Sequence, residues 1–182
     1  MAMKFAVIDT ETNWDNEVMS VGVVIAKDGQ FDALDYRYII FKEAEMIGGM
    51  YSQQLYLDDI EVERLTKKKA IETIKSYLKS HNVKTLFAYN ASFDRRCLAE
   101  LCDYDWRDIL RIAAYKQYNP AIPKNAKCCS TGRLKSGYRV EDIMNMLGER
   151  NYIETHNALM DAMDELHIMK CLNHSINKYP EL

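Results

Sequence analysis

The chain has 182 residues, 48% of them hydrophobic and 28% charged, with a net charge of -3 and few glycines or prolines. One domain over residues 1–182 accounts for that length and can bury a sizeable core without disulfides. The composition leaves little room for long disordered linkers; neither a membrane span nor export is expected, since no apolar run nears roughly 18 residues and the run after Lys4 is short for a secretory leader.

The first predicted element is the apolar run Lys4-Phe5-Ala6-Val7-Ile8, which ends in Asp9-Thr10-Glu11-Thr12. It reads as a central strand buried on both faces. Alternation puts Asp9 and Glu11 on one side, with Thr10 pointing away from them. Val18 to Ile25 is a second strand, Asp28-Gly29-Gln30 a turn, and Asp35 to Phe41 a third, so the first three strands are expected to be antiparallel neighbours with the first innermost. Residues 43–65, broken by Gly48-Gly49, read as loop with short helical pieces. Thr66 caps a helix to Ser80 with Ala70, Ile71, Ile74, Tyr77 and Leu78 on one stripe. Val83 to Tyr89 is the next strand, and Asn90-Ala91-Ser92 opens a helix with Asp94 in its first turn.

A short edge strand is expected within residues 104–109, then a helix from Ile109 to Tyr118. Residues 119–137, interrupted by Pro120, Pro123, Gly132 and Gly137, read as a long surface loop, of the kind that is functional when it occurs in a compact domain. Val140 to Leu147, closed by Gly148, and His156 to Leu172 are the last two helices. The sum is an α/β fold with a mixed five-stranded sheet flanked by helices. Five cysteines, at 97, 102, 128, 129 and 171, are odd in number and lack metal-ribbon spacing, so reduced thiols and a cytoplasmic location are expected.

The chemistry concentrates on Asp9, Glu11, Asp94 and Asp161, with His156 beside them. Paired acids at the end of a buried strand repel unless a proton or cation intervenes. Hard oxygen donors without a neighbouring thiolate suit Mg²⁺ or Mn²⁺ better than zinc. Such a cluster can hold two ions roughly 3.5–4 Å apart. Residues 113–139 add six basic residues, Lys116, Lys124, Lys127, Arg133, Lys135 and Arg139, and no acid, a balance that favours phosphate contact.

The pieces Asp9-Thr10-Glu11-Thr12, Tyr89-Asn90-Ala91-Ser92-Phe93-Asp94 and His156-Asn157-Ala158-Leu159-Met160-Asp161-Ala162 resemble the three motifs of the DEDD exonuclease superfamily, in its DnaQ-like histidine branch. That branch includes the epsilon subunit of bacterial DNA polymerase III, RNase T and oligoribonuclease. The resemblance implies a ribonuclease H-like fold and a 3'-to-5' exonuclease releasing nucleoside 5'-monophosphates from single-stranded DNA or RNA 3' ends. It implies Asp9, Glu11, Asp94 and Asp161 as ligands of two Mg²⁺ or Mn²⁺ ions and His156 as general base, an imidazole titrating near enough to neutrality for that task. Histidine stands five residues before the last acid, and Asn157 occupies the position where the tyrosine branch has its tyrosine. Thr10, Thr12, Trp14, Asn90 and Phe93 would hold the terminal nucleotide, Trp14 stacking on a base with Phe93 wedged beside it. A DNA polymerase partner and a homodimer are further expectations of the resemblance. The competing reading is an inactive nucleic-acid-binding or polymerase-docking module on the same fold; such a module would be expected to have lost an acid or the histidine.

Overall fold

Strand β1 (Lys4–Thr12) is the axis of the molecule, because Phe5, Ala6, Val7 and Ile8 are wholly buried and both of its edges are paired. On one side lies β2 (Val18–Lys27), antiparallel; on the other lies β5 (Thr85–Ala88), parallel. The computed structural model describes residues 3–182. Beyond β2 come β3 (Asp35–Phe41), antiparallel to it, and β4 (Glu63–Leu65), while β6 (Asp105–Asp108) closes the far edge next to β5. The sheet order is β4-β3-β2-β1-β5-β6.

The sheet therefore has six strands where the sequence predicts five. The sixth, β4, is the tripeptide Glu63-Arg64-Leu65 inside the stretch read as loop, and it runs parallel to β3. Its three residues are too few for alternation to show. Short, charged strands of this kind blunt a sheet edge against further pairing, and here Glu63 also meets Arg37 on β3.

The helices cover the sheet. Between β3 and β4, α1 (Lys42–Ile47) and a 3₁₀ turn at Ser52–Gln54 are the short helical pieces of the 43–65 stretch. Helix α2 (Lys67–Ser80) starts at Thr66, whose hydroxyl accepts from the Lys69 amide, and it buries the five stripe residues predicted for it. Helix α3 (Ser92–Cys97) follows β5 and carries Asp94. Helix α4 (Leu110–Ala113) is a single turn, shorter than the predicted 109–118. It ends there because the Asn119 side chain donates to the Ala113 carbonyl and the chain turns to pair Tyr115 with Arg133. Helix α5 (Val140–Leu147) ends at Gly148, which has φ 111°, as its position after the last apolar residue suggests.

Helix α6 (Ala158–Leu172) packs on β1 and β2. It begins two residues later than predicted, with Asn157 as its cap, so His156 precedes the helix in a left-handed conformation of φ 56°. The close approach of α6 to the sheet depends on Gly22, the register partner of Asp9 on β2. A Cβ at Gly22 would lie 2.2 Å from the Ala158 carbonyl oxygen. Gly22→Ala is expected to destabilise the fold by roughly 1–3 kcal/mol, the usual cost of overpacking, by pushing the start of α6 off the sheet; urea unfolding with an unchanged midpoint would contradict this. Among the described residues no helix is long and apolar enough to cross a membrane.

Candidate active site

Three local devices bring the site together. The ladder between β1 and β2 shifts register at Glu11/Thr12, and a bulge of this kind re-aims side chains at a strand end. Asn90, at φ 61°, turns the chain from β5 into α3; its amide donates to Asp108 Oδ1 at 3.0 Å, the same oxygen that accepts from the Leu110 amide. Asn157 is wholly buried and fixes the start of α6. Its Oδ1 accepts from the Leu159 and Met160 amides, and its Nδ2 donates to the Tyr38 hydroxyl and the Gln54 carbonyl.

These devices carry Asp9, Glu11, Asp94 and Asp161 to one place. Asp94 is 2% exposed and Asp161 is 3% exposed, so neither is the solvated capping acid that a lone Asp in a first helical turn suggests. Glu11, His156 and Asp161 form the tightest group, each offering a ligand atom such that all three lie within 4.8 Å of one another. The sequence expectation had four acids as ligands with His156 beside them as a base; here the imidazole stands inside the closest triplet, and Asp9 is near enough to Asp94, Asp161 and Glu11 for their charges to raise it.

The electrostatics follow from crowding. Burial raises Asp9 well above the ordinary carboxylate range, and the charges of Asp94, Asp161, Glu11 and Glu154 raise it further. Glu11 is pushed up to about 7 by burial and by Glu154 and Asp94. Asp161 is pushed up to about 8 by burial, then by Glu154 and Glu11. Asp94 is pushed up to about 7 by burial, a rise that the Thr10 hydroxyl opposes by donating to Asp94 Oδ1 at 2.8 Å. Thr10, on the face of β1 opposite Asp9 and Glu11 by strand alternation, is thus tied to Asp94, and a buried hydroxyl next to a buried carboxylate satisfies both.

Sequence reasoning missed several neighbours. Glu165 is 2% exposed, accepts from the Tyr89 amide at 3.0 Å, and is raised well above its usual value by burial and then by Asp9 and Asp94. Its signal was present: it lies four residues after Asp161, on the stripe of Ala158, Ala162, Leu166 and Met169 that faces the core, where an acid is out of place. Glu154, 4.0 Å from His156 Nδ1, comes from an aperiodic connection and gave no signal. Tyr51 stacks on the His156 ring at 3.9 Å between centroids and 15° between planes. It is positioned by Gly49, where a Cβ would lie 2.6 Å from the Thr12 carbonyl oxygen.

Of the residues expected to hold a nucleotide, Trp14 is 64% exposed beside the end of β1, its amide bonded to the Gly48 carbonyl. Asn90 is exposed and borders a cleft that reaches Asp9. Phe93 is half-buried under the Arg96 guanidinium, and Thr12 is half-buried at the bulge. The five cysteines are unpaired thiols.

The donor set fits a hard divalent cation. Asp161 Oδ1 is buried with no hydrogen-bond partner, and a native structure leaves a buried carboxylate oxygen unsatisfied only where something else meets it. The cluster also sets a sign. Carboxyls whose folded values exceed their unfolded values near about 4 keep protons that the unfolded chain has released. Cation-free stability therefore falls as pH rises from about 4 through the 7 to 8 range of Glu11, Asp94 and Asp161. A cation displaces those protons. Mg²⁺ or Mn²⁺ is thus expected to raise the melting temperature more at pH 8 than at pH 6. At a hundredfold excess over Kd the gain is about 2.7 kcal/mol, or roughly 5–10 °C for a chain of this size. Thermal melts with EDTA or cation at both pH values check this; an equal response at the two would contradict it.

No protein-family model matches the sequence, and no curated protein matches it. Solved structures do. The nuclease domain of 3'hExo, a DEDDh family member, bound to rAMP, is similar with a TM-score of 0.65 at 13% identity, over 92% of this chain and 90% of that one. A 3'-exonuclease in a structure of 3'-end-specific recognition of histone mRNA stem-loop has a TM-score of 0.67 at 13% identity, over 100% of this chain and 71% of that one. E. coli exonuclease I in complex with a dA16 oligonucleotide has a TM-score of 0.60 at 16% identity, over 96% of this chain and 41% of that one. The chain thus has the ribonuclease H-like α/β fold of the DEDDh 3'-exonucleases, and at these identities it is the fold that is shared.

Proposed function

We propose that this protein is a metal-dependent 3'-to-5' exonuclease that releases nucleoside 5'-monophosphates from single-stranded DNA or RNA 3' ends. The observation that carries the reading is the approach of the Glu11, His156 and Asp161 ligand atoms to within 4.8 Å of one another, with Asp161 Oδ1 buried and without a hydrogen-bond partner and with Asp9 near enough to Asp94, Asp161 and Glu11 for their charges to raise it. The shared fold supports it.

Asp9, Glu11, Asp94 and Asp161 would hold two Mg²⁺ or Mn²⁺ ions, which when bound supply Lewis-acid charge neutralisation at the scissile phosphate. His156 takes the proton from the attacking water. Glu154 at its Nδ1 side and Tyr51 across its face hold the ring in one orientation, which shortens the search for in-line geometry. Thr10 keeps Asp94 oriented, and Asn157, wholly buried as the α6 cap, is committed to structure and leaves proton transfer to the imidazole. Attack in line with the departing 3' oxygen completes the step. Trp14, exposed beside the bulge, offers an aromatic face to the terminal base, with Thr12, Asn90 and Phe93 around it. A duplex end has to fray before its terminal nucleotide enters.

Purified protein incubated with matched 5'-labelled DNA and RNA oligomers and Mg²⁺ or Mn²⁺ is expected to shorten them from the 3' end and release nucleoside 5'-monophosphates. No degradation of either polymer would overturn the reading, and the ratio of the two rates assigns the sugar preference. The polymerase and homodimer expectations rest on the family resemblance alone; light scattering of the purified chain decides the second.

A further inference from the structure

Outside the acidic cluster, the outer side of α6 carries a second group of metal-ligating side chains. His167 and Cys171 lie four residues apart, so successive turns of the helix stack them, and Cys171 Sγ stands 3.4 Å from His167 Nε2. Glu149, the residue after the Gly148 that closes α5, reaches the same nitrogen with Oε1 at 2.9 Å. Cys171 and Glu149 are exposed and His167 is half-buried. Asp164, one turn before His167, accepts from the Tyr152 hydroxyl.

Nucleophilic chemistry does not fit this group. An acid–imidazole–thiol relay uses the two ring nitrogens separately, one toward the acid and one toward the thiol, whereas here both neighbours meet Nε2. Burial and the charge of Glu149 also raise the Cys171 thiol above its ordinary value, the reverse of activation. A proton on Nε2 serves the carboxylate, and without it the ring lone pair faces an acceptor. A divalent ion resolves that competition, because it attracts the lone pair, the carboxylate and a thiolate together. Ligand atoms on a tetrahedral zinc stand roughly 3.3–3.6 Å apart, given bonds near 2.0–2.3 Å, and the two contacts measure 3.4 and 2.9 Å. Bringing Oε1 and Sγ onto one ion takes a rotation of the Glu149 side chain, which is 50% exposed.

We propose that Glu149, His167 and Cys171 form a second metal site, for a borderline-soft divalent ion of the Zn²⁺ class, with water in the fourth position. Binding releases the thiol proton to solvent. A thiolate ligand selects zinc over Mg²⁺, which separates this site chemically from the all-oxygen donors around Asp9. Its position gives it a consequence. Glu149 belongs to the connection between α5 and α6, which also carries Glu154 and His156. The Tyr152–Asp164 hydrogen bond fastens that connection to α6 at one point, and the metal site fastens it at a second, in a way that depends on the ion. The site needs no hydrolysis and does not rest on the exonuclease reading.

The test titrates Co²⁺, a spectroscopic stand-in for Zn²⁺, into the reduced full chain with Mg²⁺ in excess. Wild type should develop a thiolate-to-cobalt charge-transfer band, which the acidic cluster cannot produce without a sulfur ligand, and Zn²⁺ should abolish it. Cys171→Ser should lose the band, while Glu149→Gln and His167→Gln should each weaken Co²⁺ binding by roughly tenfold or more. Because the three side chains lie at the surface, the variants should melt in EDTA within a few degrees of wild type. Amide hydrogen exchange over residues 149–157 should slow when Zn²⁺ is added to wild type and not when it is added to Cys171→Ser. No band in wild type, or a band kept by Cys171→Ser, would overturn the site. Undiminished Co²⁺ affinity in Glu149→Gln would overturn the bridge from the connection to α6, as would equal slowing of exchange in the two proteins.

Discussion

Asp161→Asn is expected to reduce oligonucleotide hydrolysis by at least about 10²–10³-fold, the cost of removing one preorganised charged group from a transition state, while making the cation-free protein more stable at pH 8. The two effects have opposite signs for one reason. Asp161 is 3% exposed, its Oδ1 has no partner, and burial together with Glu154 and Glu11 pushes it up to about 8. A carboxylate in that setting is a cost to folding that a cation offsets. Asparagine occupies the same volume without the charge, so the melting temperature in EDTA should rise by about 3 °C or more, and its gain on adding Mn²⁺ should shrink. Nucleotide release by chromatography and paired melts in EDTA and Mn²⁺ read both sides. Retained turnover would remove Asp161 from the chemistry, and a fall in cation-free stability would make it a structural acid.

Replacing His156 is expected to lower kcat by roughly 10²–10⁴-fold, the range for a positioned general base, with the cation-induced rise in melting temperature kept. The informative substitution is His156→Asn. Position 156 is left-handed at φ 56°, a conformation asparagine adopts far more readily than alanine, so the backbone entering α6 is preserved. Because the imidazole lies within 4.8 Å of both the Glu11 and Asp161 donors, it could also serve as a ligand, and the melts separate the roles: loss of the cation response would make His156 a ligand. Tyr51→Leu should give a milder fall in kcat, since it removes the ring stacked on His156 and leaves the imidazole in place.

Much of this molecule was open to sequence reasoning because its signals are local. The apolar run Phe5–Ile8 identified the buried central strand, the stripe from Ala70 to Leu78 identified α2, and Gly148 marked the end of α5. The acids at 9, 11, 94 and 161 stand out in the sequence because Asp9 and Glu11 interrupt the apolar run of β1 near its end, and Asp94 and Asp161 fall in the first turns of helices. Tertiary contacts overruled local pattern elsewhere. The helix expected over 109–118 stops after one turn because Asn119 and the Tyr115–Arg133 bridge divert the chain. The helix expected from His156 starts at Ala158 because Asn157 finds partners in Tyr38 and Gln54, each more than a hundred residues away in the chain.

By itself, then, the sequence determined which residue types stand at the strand and helix ends and that an α/β sheet would present them together, since hydrophobic period and turn chemistry act over a few residues. It also determined that the segment from Lys116 to Arg139 would be basic. Only the tertiary structure decided that Glu165 and Glu154 join the acids, that Tyr51 backs the imidazole, that Thr10 turns to Asp94, and that the basic segment forms one wall of the cleft. Those facts depend on how closely α6 and residues 48–57 approach the sheet. That approach is set by atoms distant in sequence, such as the missing Cβ of Gly22 against Ala158, and no local pattern encodes it.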